Sequence, residues 1–242
     1  MSRLVGVGVG PGDPELVTVK GVRVLQAAEL VVVPVMDPVE QGRAEATVRA
    51  HVDHDRVRRL VFALDDRGGP TVQRRSAWEA AADAVAEQLR THGGTVAFAT
   101  IGDPNVYSTF TYLADAVRER VPEVAVETVP GITAMQDLAA RSGTVLCEGT
   151  ESLALLPLTA GVAAFEEALT HFDSVVAYKG GRHMPAVLDV LRRAGRLDGA
   201  VYGAALGLPD EQVGAAADAP ADAPYLSTVI VPARRTTRGG KL

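Results

Sequence analysis

The 242-residue chain carries 24 lysines and arginines against 30 aspartates and glutamates, which gives a formal net charge of −6. This balance provides no broad positive field for a polyanion, so we expect no nucleic-acid partner, although a few local cations could still hold an anionic small molecule. Hydrophobic residues make up 47% of the chain and charged residues 22%, which favours a compact fold over disorder.

Signals for export and for membrane insertion are missing from the sequence. The lone Cys147 excludes an intramolecular disulfide, and the residues after Met1 lack the basic, apolar and small-residue segments of a signal peptide. The apolar runs are shorter than the ~20 residues that span a bilayer. We therefore expect a cytoplasmic protein without a membrane segment.

Short β-branched runs alternate with helix-period segments, which predicts an α/β fold with largely parallel strands. The predicted strands are residues 4–9, 30–34, 95–100, 124–129, 153–156, 175–178 and 225–231, with a further candidate at 200–204. The predicted helices are residues 14–28, 43–52, 74–92, 107–120, 132–142, 165–171 and 184–194. Because Pro122 disfavours a continuous helix, we expect two domains, residues 1–121 and 122–242.

The first glycine-rich turn follows the first predicted strand. In the segment Gly10–Pro14 (Gly-Pro-Gly-Asp-Pro), the glycines permit positive φ, Pro14 suits a first helical turn, and Asp13 lies at an N-cap position. The spacing fits neither the Gly-x-Gly-x-x-Gly dinucleotide fingerprint nor the P-loop. An ordinary strand-to-helix turn is the simpler alternative for this segment taken alone.

Two further turns of the same kind follow later strands. Gly102-Asp103-Pro104 comes after the strand that ends at Thr100, and Pro130-Gly131-Ile132-Thr133-Ala134 comes after the strand that ends at Val129. Open α/β sheets bind ligands beyond the carboxyl ends of their strands. The three turns together therefore predict one binding site.

A metal site can be drawn at His51-x-x-His54, which Asp53 and Asp55 flank. Four-coordinate sites need more placed ligands than this segment offers. The end of a surface helix explains the pattern better, so we expect no metal.

The three turns, in this order, resemble the tetrapyrrole methylases of cobalamin and siroheme biosynthesis over nearly the whole chain. Within that family, the similarity is greatest to the members that methylate carbon C-20 of precorrin-2. It rests on Gly10–Leu16, Gly42–Ala44, the helix around Trp78, Gly102–Thr109 and Tyr225–Val231. The resemblance implies S-adenosylmethionine as methyl donor, S-adenosylhomocysteine as product, a tetrapyrrole acceptor, a homodimer, and two α/β domains with the cofactor cleft between them.

The resemblance also implies the site residues. The expected cofactor contacts are Pro11, Ile101, Gly102, Asp103, Val106, Thr133, Ala134, Tyr178, Lys179, Ala204 and Ala205. The expected acceptor contacts are Gly12, Asp13, Arg43, Tyr107, Lys179 and Arg182, of which the cations would pair with the acceptor's carboxylates. Asp103 is the candidate general base, and its structural alternative is to hydrogen-bond its own turn and cap the next helix.

The sequence leaves three alternatives open. The acceptor could be metal-free precorrin-2 or its cobalt complex. A sibling methylase could act at another tetrapyrrole position, on diphthamide or on ribosomal RNA, and the acidic balance disfavours RNA. A non-catalytic module could bind S-adenosylmethionine or a tetrapyrrole without turnover.

Overall fold

A computed structural model describes residues 2–62 and 71–235. The chain divides into two compact units, Met1–Thr133 and Ala134–Leu242. The boundary therefore lies after Thr133 rather than between Val121 and Pro122, because the strand Ala125–Val129 pairs with the first strand of the chain. Residues 236–242 of the basic C-terminal segment lie outside the described residues.

The first unit is a parallel sheet covered by helices on both faces. Its strands are β1 (Arg3–Gly8), β2 (Leu30–Val35), β3 (Val57–Val61), β4 (Thr95–Thr100) and β5 (Ala125–Val129), in the spatial order β3-β2-β4-β1-β5 with every pair parallel. Its helices are α1 (Val19–Ala27), α2 (Arg43–Arg49), α3 (Val72–His92) and α4 (Phe110–Arg120).

Side chains that alternate along the strands of this sheet build two cores. Leu4 of β1 packs in the core with Leu89 of α3 and Leu113 of α4, whereas Val5 and Val7 pack on the other face with α1 and α2. This sidedness follows from the two-residue period of a strand.

The second unit has a mixed sheet. Its elements are α5 (Ala134–Ser142), β6 (Leu153–Pro157), α6 (Ala163–His171), β7 (Ser174–Tyr178), α7 (Met184–Arg193), β8 (Val201–Ala204), β9 (Gln212–Ala215) and β10 (Ser227–Val231). The order is β6-β7-β10-β8-β9, and only β6 and β7 pair in parallel. The expectation of largely parallel strands thus holds for the first sheet and is wrong for the second, where β10 enters between β7 and β8 in the opposite direction.

Two strands were not predicted, and one predicted helix is interrupted. β3 carries two arginines, and all four residues of β9 are exposed, so neither shows a strong hydrophobic signal. The segment 14–28 begins as a 3-10 turn, Pro14–Leu16, after which the Thr18 hydroxyl caps α1 by accepting from the Gly21 amide at 3.0 Å. Within the described ranges, no helix combines the length and apolar character needed to cross a membrane.

Candidate functional site

The three glycine-rich turns of the first unit meet at one edge of its sheet. β1, β4 and β5 are neighbouring parallel strands, so their carboxyl ends lie together. Beyond the strands, the Gly102 amide donates to the Gly10 carbonyl at 2.8 Å and the Val9 amide donates to the Thr100 carbonyl at 2.9 Å. Hydrogen bonds between backbones therefore continue from the sheet into the turns.

Glycine is required where these turns touch. A Cβ atom on Gly8 would lie 2.5 Å from the Gly102 carbonyl oxygen and 2.6 Å from the Gly131 nitrogen. A Cβ on Gly131 would collide with the same Gly102 oxygen and with Gly8. Gly10 and Gly102 have φ values of 77° and 70°, which other L-residues seldom adopt. The pattern of glycines is thus explained by close packing of three backbones.

Asp103 joins two of these turns through its carboxylate. Its Oδ1 accepts from the Asn105 amide at 2.8 Å and its Oδ2 accepts from the Gly131 amide at 3.0 Å. The side chain does not cap α4, because that helix begins at Phe110 and the Ser108 hydroxyl accepts from its first amide at 3.2 Å. The geometry therefore supports one half of the structural alternative, that Asp103 hydrogen-bonds its own turn. The other half is wrong, because the N-cap of α4 is Thr109, which makes no side-chain cap hydrogen bond.

Thr47 of α2 and His51, which follows that helix, contact the backbone of the Gly10–Pro14 turn. Thr47 is fully buried, and its hydroxyl donates to the Gly12 carbonyl at 3.1 Å and also lies 3.4 Å from the Arg43 carbonyl oxygen. His51 Nε2 lies 2.9 Å from the Pro14 carbonyl oxygen, and this nitrogen carries the proton because a carbonyl can only accept. Motif analysis did not identify either residue as part of the site.

Two further expectations concern this part of the chain: an N-cap at Asp13 and the absence of a metal site at His51. Asp13 Oδ1 accepts from the Glu15 amide at 2.9 Å, so Asp13 is the expected N-cap, although of the 3-10 turn rather than of α1. In the described part of the chain, no group of three or more His, Cys, Asp or Glu side chains could hold a metal ion.

A buried carboxylate fixes α2 to the sheet. Glu45 is 0% exposed and pairs with Arg49 at 2.6 Å and with Arg59 of β3 at 2.6 Å. Burial opposes ionisation of Glu45, but hydrogen bonds from Arg59 and Arg49 outweigh it and hold the pKa of the carboxyl below its usual value. The ion pairs of Glu45 therefore have a structural role, since they connect α2 to β3.

Backbone strain marks three of the expected site residues. Among residues 2–62 and 71–235, the non-glycine positions with positive φ are Tyr107 at 52°, Lys179 at 61° and Ala205 at 51°. Such conformations cost free energy and concentrate at functional sites. All three are among the site residues that the family resemblance implies.

In the second unit, the expected residues lie near the ends of β7 and β8. The Tyr178 hydroxyl accepts from the Met135 amide at 2.9 Å, and Lys179 Nζ lies 5.8 Å from the centroid of the Tyr225 ring. Ala204 and Ala205 are buried, at 1% and 2% exposure, so only a few atoms of these two residues could contact a ligand.

The remaining expected residues differ in exposure. Arg182 is exposed in the 3-10 turn Gly181–His183, while Arg43 is half-buried at the start of α2. Tyr107 is 44% exposed, and burial raises the pKa of its hydroxyl. Pro11, Gly12 and Thr133 are buried, whereas Ile101, Val106 and Ala134 are half-buried.

Comparison with known proteins gives consistent matches. The family described as "Tetrapyrrole (Corrin/Porphyrin) Methylases" matches residues 3–218. A precorrin-2 C(20)-methyltransferase from Sinorhizobium sp is 36% identical over 239 residues, which cover 96% of each chain. A cobalt-precorrin-2 C(20)-methyltransferase from Salmonella typhimurium is 29% identical over 233 residues, which cover 95% of each. The crystal structure of a cobalt precorrin-4 methyltransferase has a TM-score of 0.67 at 21% identity, covering 95% of this chain and 94% of that one, and shows the same fold.

Proposed function

Because this chain belongs to the tetrapyrrole (corrin/porphyrin) methylase family, we propose that it transfers a methyl group from S-adenosylmethionine to carbon C-20 of precorrin-2, or of its cobalt complex, in cobalamin biosynthesis. The observation that carries the proposal is the similarity, over 95% or more of each chain, to two proteins named as C(20)-methyltransferases of these acceptors. Intact glycine-rich turns favour an active enzyme over a non-catalytic module.

The proposed cofactor contacts fit a ligand that approaches the backbone closely. At Gly102, a Cβ would have only the Thr133 Cα, at 4.0 Å, near it, so the surface of this turn is open. We assign the cofactor to the following residues: Pro11, Ile101, Gly102, Asp103, Val106 and Thr133 of the first unit, and Ala134, Tyr178, Lys179, Ala204 and Ala205 of the second.

S-adenosylmethionine, when bound, would supply an electrophilic methyl group on a sulfonium. The bond from the ring carbon to the methyl group would form as the sulfur–methyl bond breaks, with release of S-adenosylhomocysteine and of one proton from the ring. The reaction requires no covalent nucleophile from the protein, so Cys147, which is exposed, has no necessary role. The residues of the chain must align the reactants, and orientation can contribute up to roughly 7–11 kcal/mol in ideal intramolecular cases.

Asp103 fits a positioning role in this scheme better than that of a general base. Both of its oxygens already accept backbone amide hydrogen bonds, and the residue is 9% exposed. Its carboxylate keeps the Gly102 and Gly131 turns in register. We propose that Asp103 contributes to catalysis through the shape of these turns.

Cations would bind the carboxylates of the acceptor. Arg43 is suited to this because Thr47, one turn later on α2, bonds the Gly12 carbonyl and lies 3.4 Å from the carbonyl of Arg43, which places the start of α2 beside the glycine-rich turn. Arginine binds carboxylates in a bidentate geometry. Lys179 and Arg182 are the proposed cations of the second unit, and Gly12, Asp13 and Tyr107 complete the proposed acceptor contacts.

The decisive experiment is incubation of the protein with S-adenosylmethionine carrying a labelled methyl group and with precorrin-2, with and without cobalt. Mass analysis should show one added methyl group on at least one form, with one S-adenosylhomocysteine released per methyl transferred. A product methylated at another carbon would favour the sibling methylase. Transfer to neither form would overturn the C-20 assignment.

The family resemblance further implies a homodimer in the cytoplasm, and both remain predictions. Size-exclusion chromatography with light scattering tests the first, with an expected mass of twice the 25.3 kDa chain. Fractionation of producing cells tests the second.

A further inference from the structure

An ion-pair chain in the second unit ends on the backbone of the turn after β8. Arg141 of α5 donates from Nε to both oxygens of Asp137, at 2.9 and 3.0 Å, and from Nη1 to Glu211 Oε1 at 3.0 Å. The other oxygen of Glu211 accepts from the Gly207 amide at 2.6 Å. Glu211, the last residue of the turn at 205–211, thus connects α5 to the backbone earlier in the same turn.

This turn is conformationally strained. Ala205 has a φ of 51° and Gly207 a φ of 73°, and the Leu208 amide donates back to the Ala205 carbonyl at 3.0 Å. An alanine in the left-handed region persists only where surrounding contacts hold it there. The bond from Gly207 to Glu211 is such a contact, since it closes the turn two residues after Ala205.

The same helix reaches the other expected cofactor contacts of this unit. Ala134 is the first residue of α5, and Tyr178 bonds the amide of Met135. A Cβ on Gly203 of β8 would lie 2.7 Å from a methyl group of Leu138 of α5, so this helix packs directly on β8. α5 therefore connects the three places assigned to the cofactor in this unit.

We propose that Glu211 is a positioning residue for cofactor binding, which holds the turn after Ala204 and Ala205 against α5 through Arg141. This inference rests on the proposed function, because it takes these alanines as cofactor contacts. Glu211 itself does not contact the cofactor. Asp137, which is 6% exposed, orients Arg141 by occupying its Nε.

The test compares Glu211→Ala and Glu211→Gln with a matched control. Glu166→Ala removes an exposed ion pair with Arg193, at 2.8 Å, elsewhere in the same unit. Calorimetry with S-adenosylhomocysteine measures the dissociation constant of each variant, hydrogen exchange reports the Gly207 amide, and thermal unfolding confirms that each variant is folded.

We expect Glu211→Ala to weaken S-adenosylhomocysteine binding about tenfold, which corresponds to ~1.4 kcal/mol, and to raise the KM for S-adenosylmethionine with kcat at saturation nearly unchanged. Glu211→Gln should lie between Glu211→Ala and the wild type, because its carbonyl oxygen can still accept from Gly207. Glu166→Ala should bind as the wild type does, since exposed ion pairs contribute little.

The outcomes separate the two proposals. If the wild type and Glu211→Ala bind S-adenosylhomocysteine with the same dissociation constant, the positioning role is overturned, even if hydrogen exchange at Gly207 becomes faster. The proposed function would remain intact in that case. Absence of S-adenosylhomocysteine binding by the wild type overturns both.

Discussion

The hydroxyl of Tyr178, at the end of β7, accepts a hydrogen bond of 2.9 Å from the backbone amide of Met135 in the first turn of α5. The first amides of a helix have no partner within the helix, and a short polar side chain at the N-cap usually satisfies one of them. Here an aromatic residue 43 positions away along the chain does so. The start of α5, where Ala134 lies, is therefore connected to β7.

Tyr178→Phe removes this hydrogen bond while keeping the ring. We expect the free energy of unfolding to fall by about 1 kcal/mol, the usual net worth of one hydrogen bond, and the affinity for S-adenosylhomocysteine to decrease. Urea denaturation and calorimetry measure the two effects.

Tyr202→Phe is the matched control for this change, because the Tyr202 hydroxyl is 3.5 Å from Gln212 Oε1, at the outer limit of a hydrogen bond. It should leave the affinity for S-adenosylhomocysteine unchanged. Equal affinity in the wild type and Tyr178→Phe would contradict a role for the Tyr178 hydroxyl in the site.

Asp103→Asn distinguishes a positioning role from acid–base chemistry. The amide keeps one acceptor, but its NH2 group would face an N–H of Asn105 or Gly131, so the unfolding free energy should fall by about 1–3 kcal/mol. Cofactor affinity should decrease, and kcat at saturation should fall by less than the roughly 100-fold that removal of a general base costs at minimum.

Steady-state kinetics and calorimetry on the same preparation separate these effects of Asp103→Asn. Asp115→Asn alters an exposed pair with Arg118 and serves as the control. A loss in kcat far beyond 100-fold, with cofactor affinity intact, would instead identify Asp103 as the base.

Gly131→Ala tests the packing of the three turns. The new methyl group would collide with the Gly102 carbonyl oxygen and with Gly8, both of them backbone, so no flexible side chain can move aside. We expect destabilisation of about 3 kcal/mol or more, in the upper range for single substitutions. Chemical denaturation gives this value.

Gly214→Ala is the control for this substitution, because nothing lies within 4 Å of its added Cβ and its φ is not positive. It should change stability by no more than ~0.5 kcal/mol. A Gly131→Ala protein as stable as the wild type would show that the turns are not closely packed.

Glu45 predicts a pH dependence of stability. Its pKa in the folded protein is lowered, so in the acidic range the unfolded chain binds more protons than the folded one, and stability rises with pH there. The contribution of Glu45 is present above the unfolded pKa of about 4.3 and is lost as pH falls through the lower folded value.

Glu45→Gln should remove this contribution and leave Arg49 and Arg59 without their buried partner. Urea denaturation at neutral and acidic pH should therefore show a less stable variant at neutral pH, with a smaller loss of stability on acidification. Asp115→Asn, which affects an exposed pair with Arg118, is the comparison. A variant whose stability changes with pH as steeply as that of the wild type would contradict the assignment.

Most elements and the glycine-rich turns could be located from local patterns. The strand Thr95–Thr100 has the predicted bounds, and other ends differ by a few residues, because hydrophobic period and turn chemistry depend on neighbours along the chain. β3 and β9 were missed because their residues are charged or exposed. The antiparallel entry of β10 was missed because periodicity carries no information on strand direction.

The chemistry of the turns was therefore readable from the residues alone: glycines for left-handed and close-packed backbone, and proline and aspartate for the start of a short helix. Tertiary structure alone placed Asp103 on Gly131, 28 positions away, and Thr47 on Gly12, 35 positions away. Those bonds depend on how strands pair and helices pack, so a local motif cannot encode them. The same holds for Glu211 and Gly207, which are only four positions apart but matter because Arg141, 70 positions from Glu211, holds the carboxylate in place.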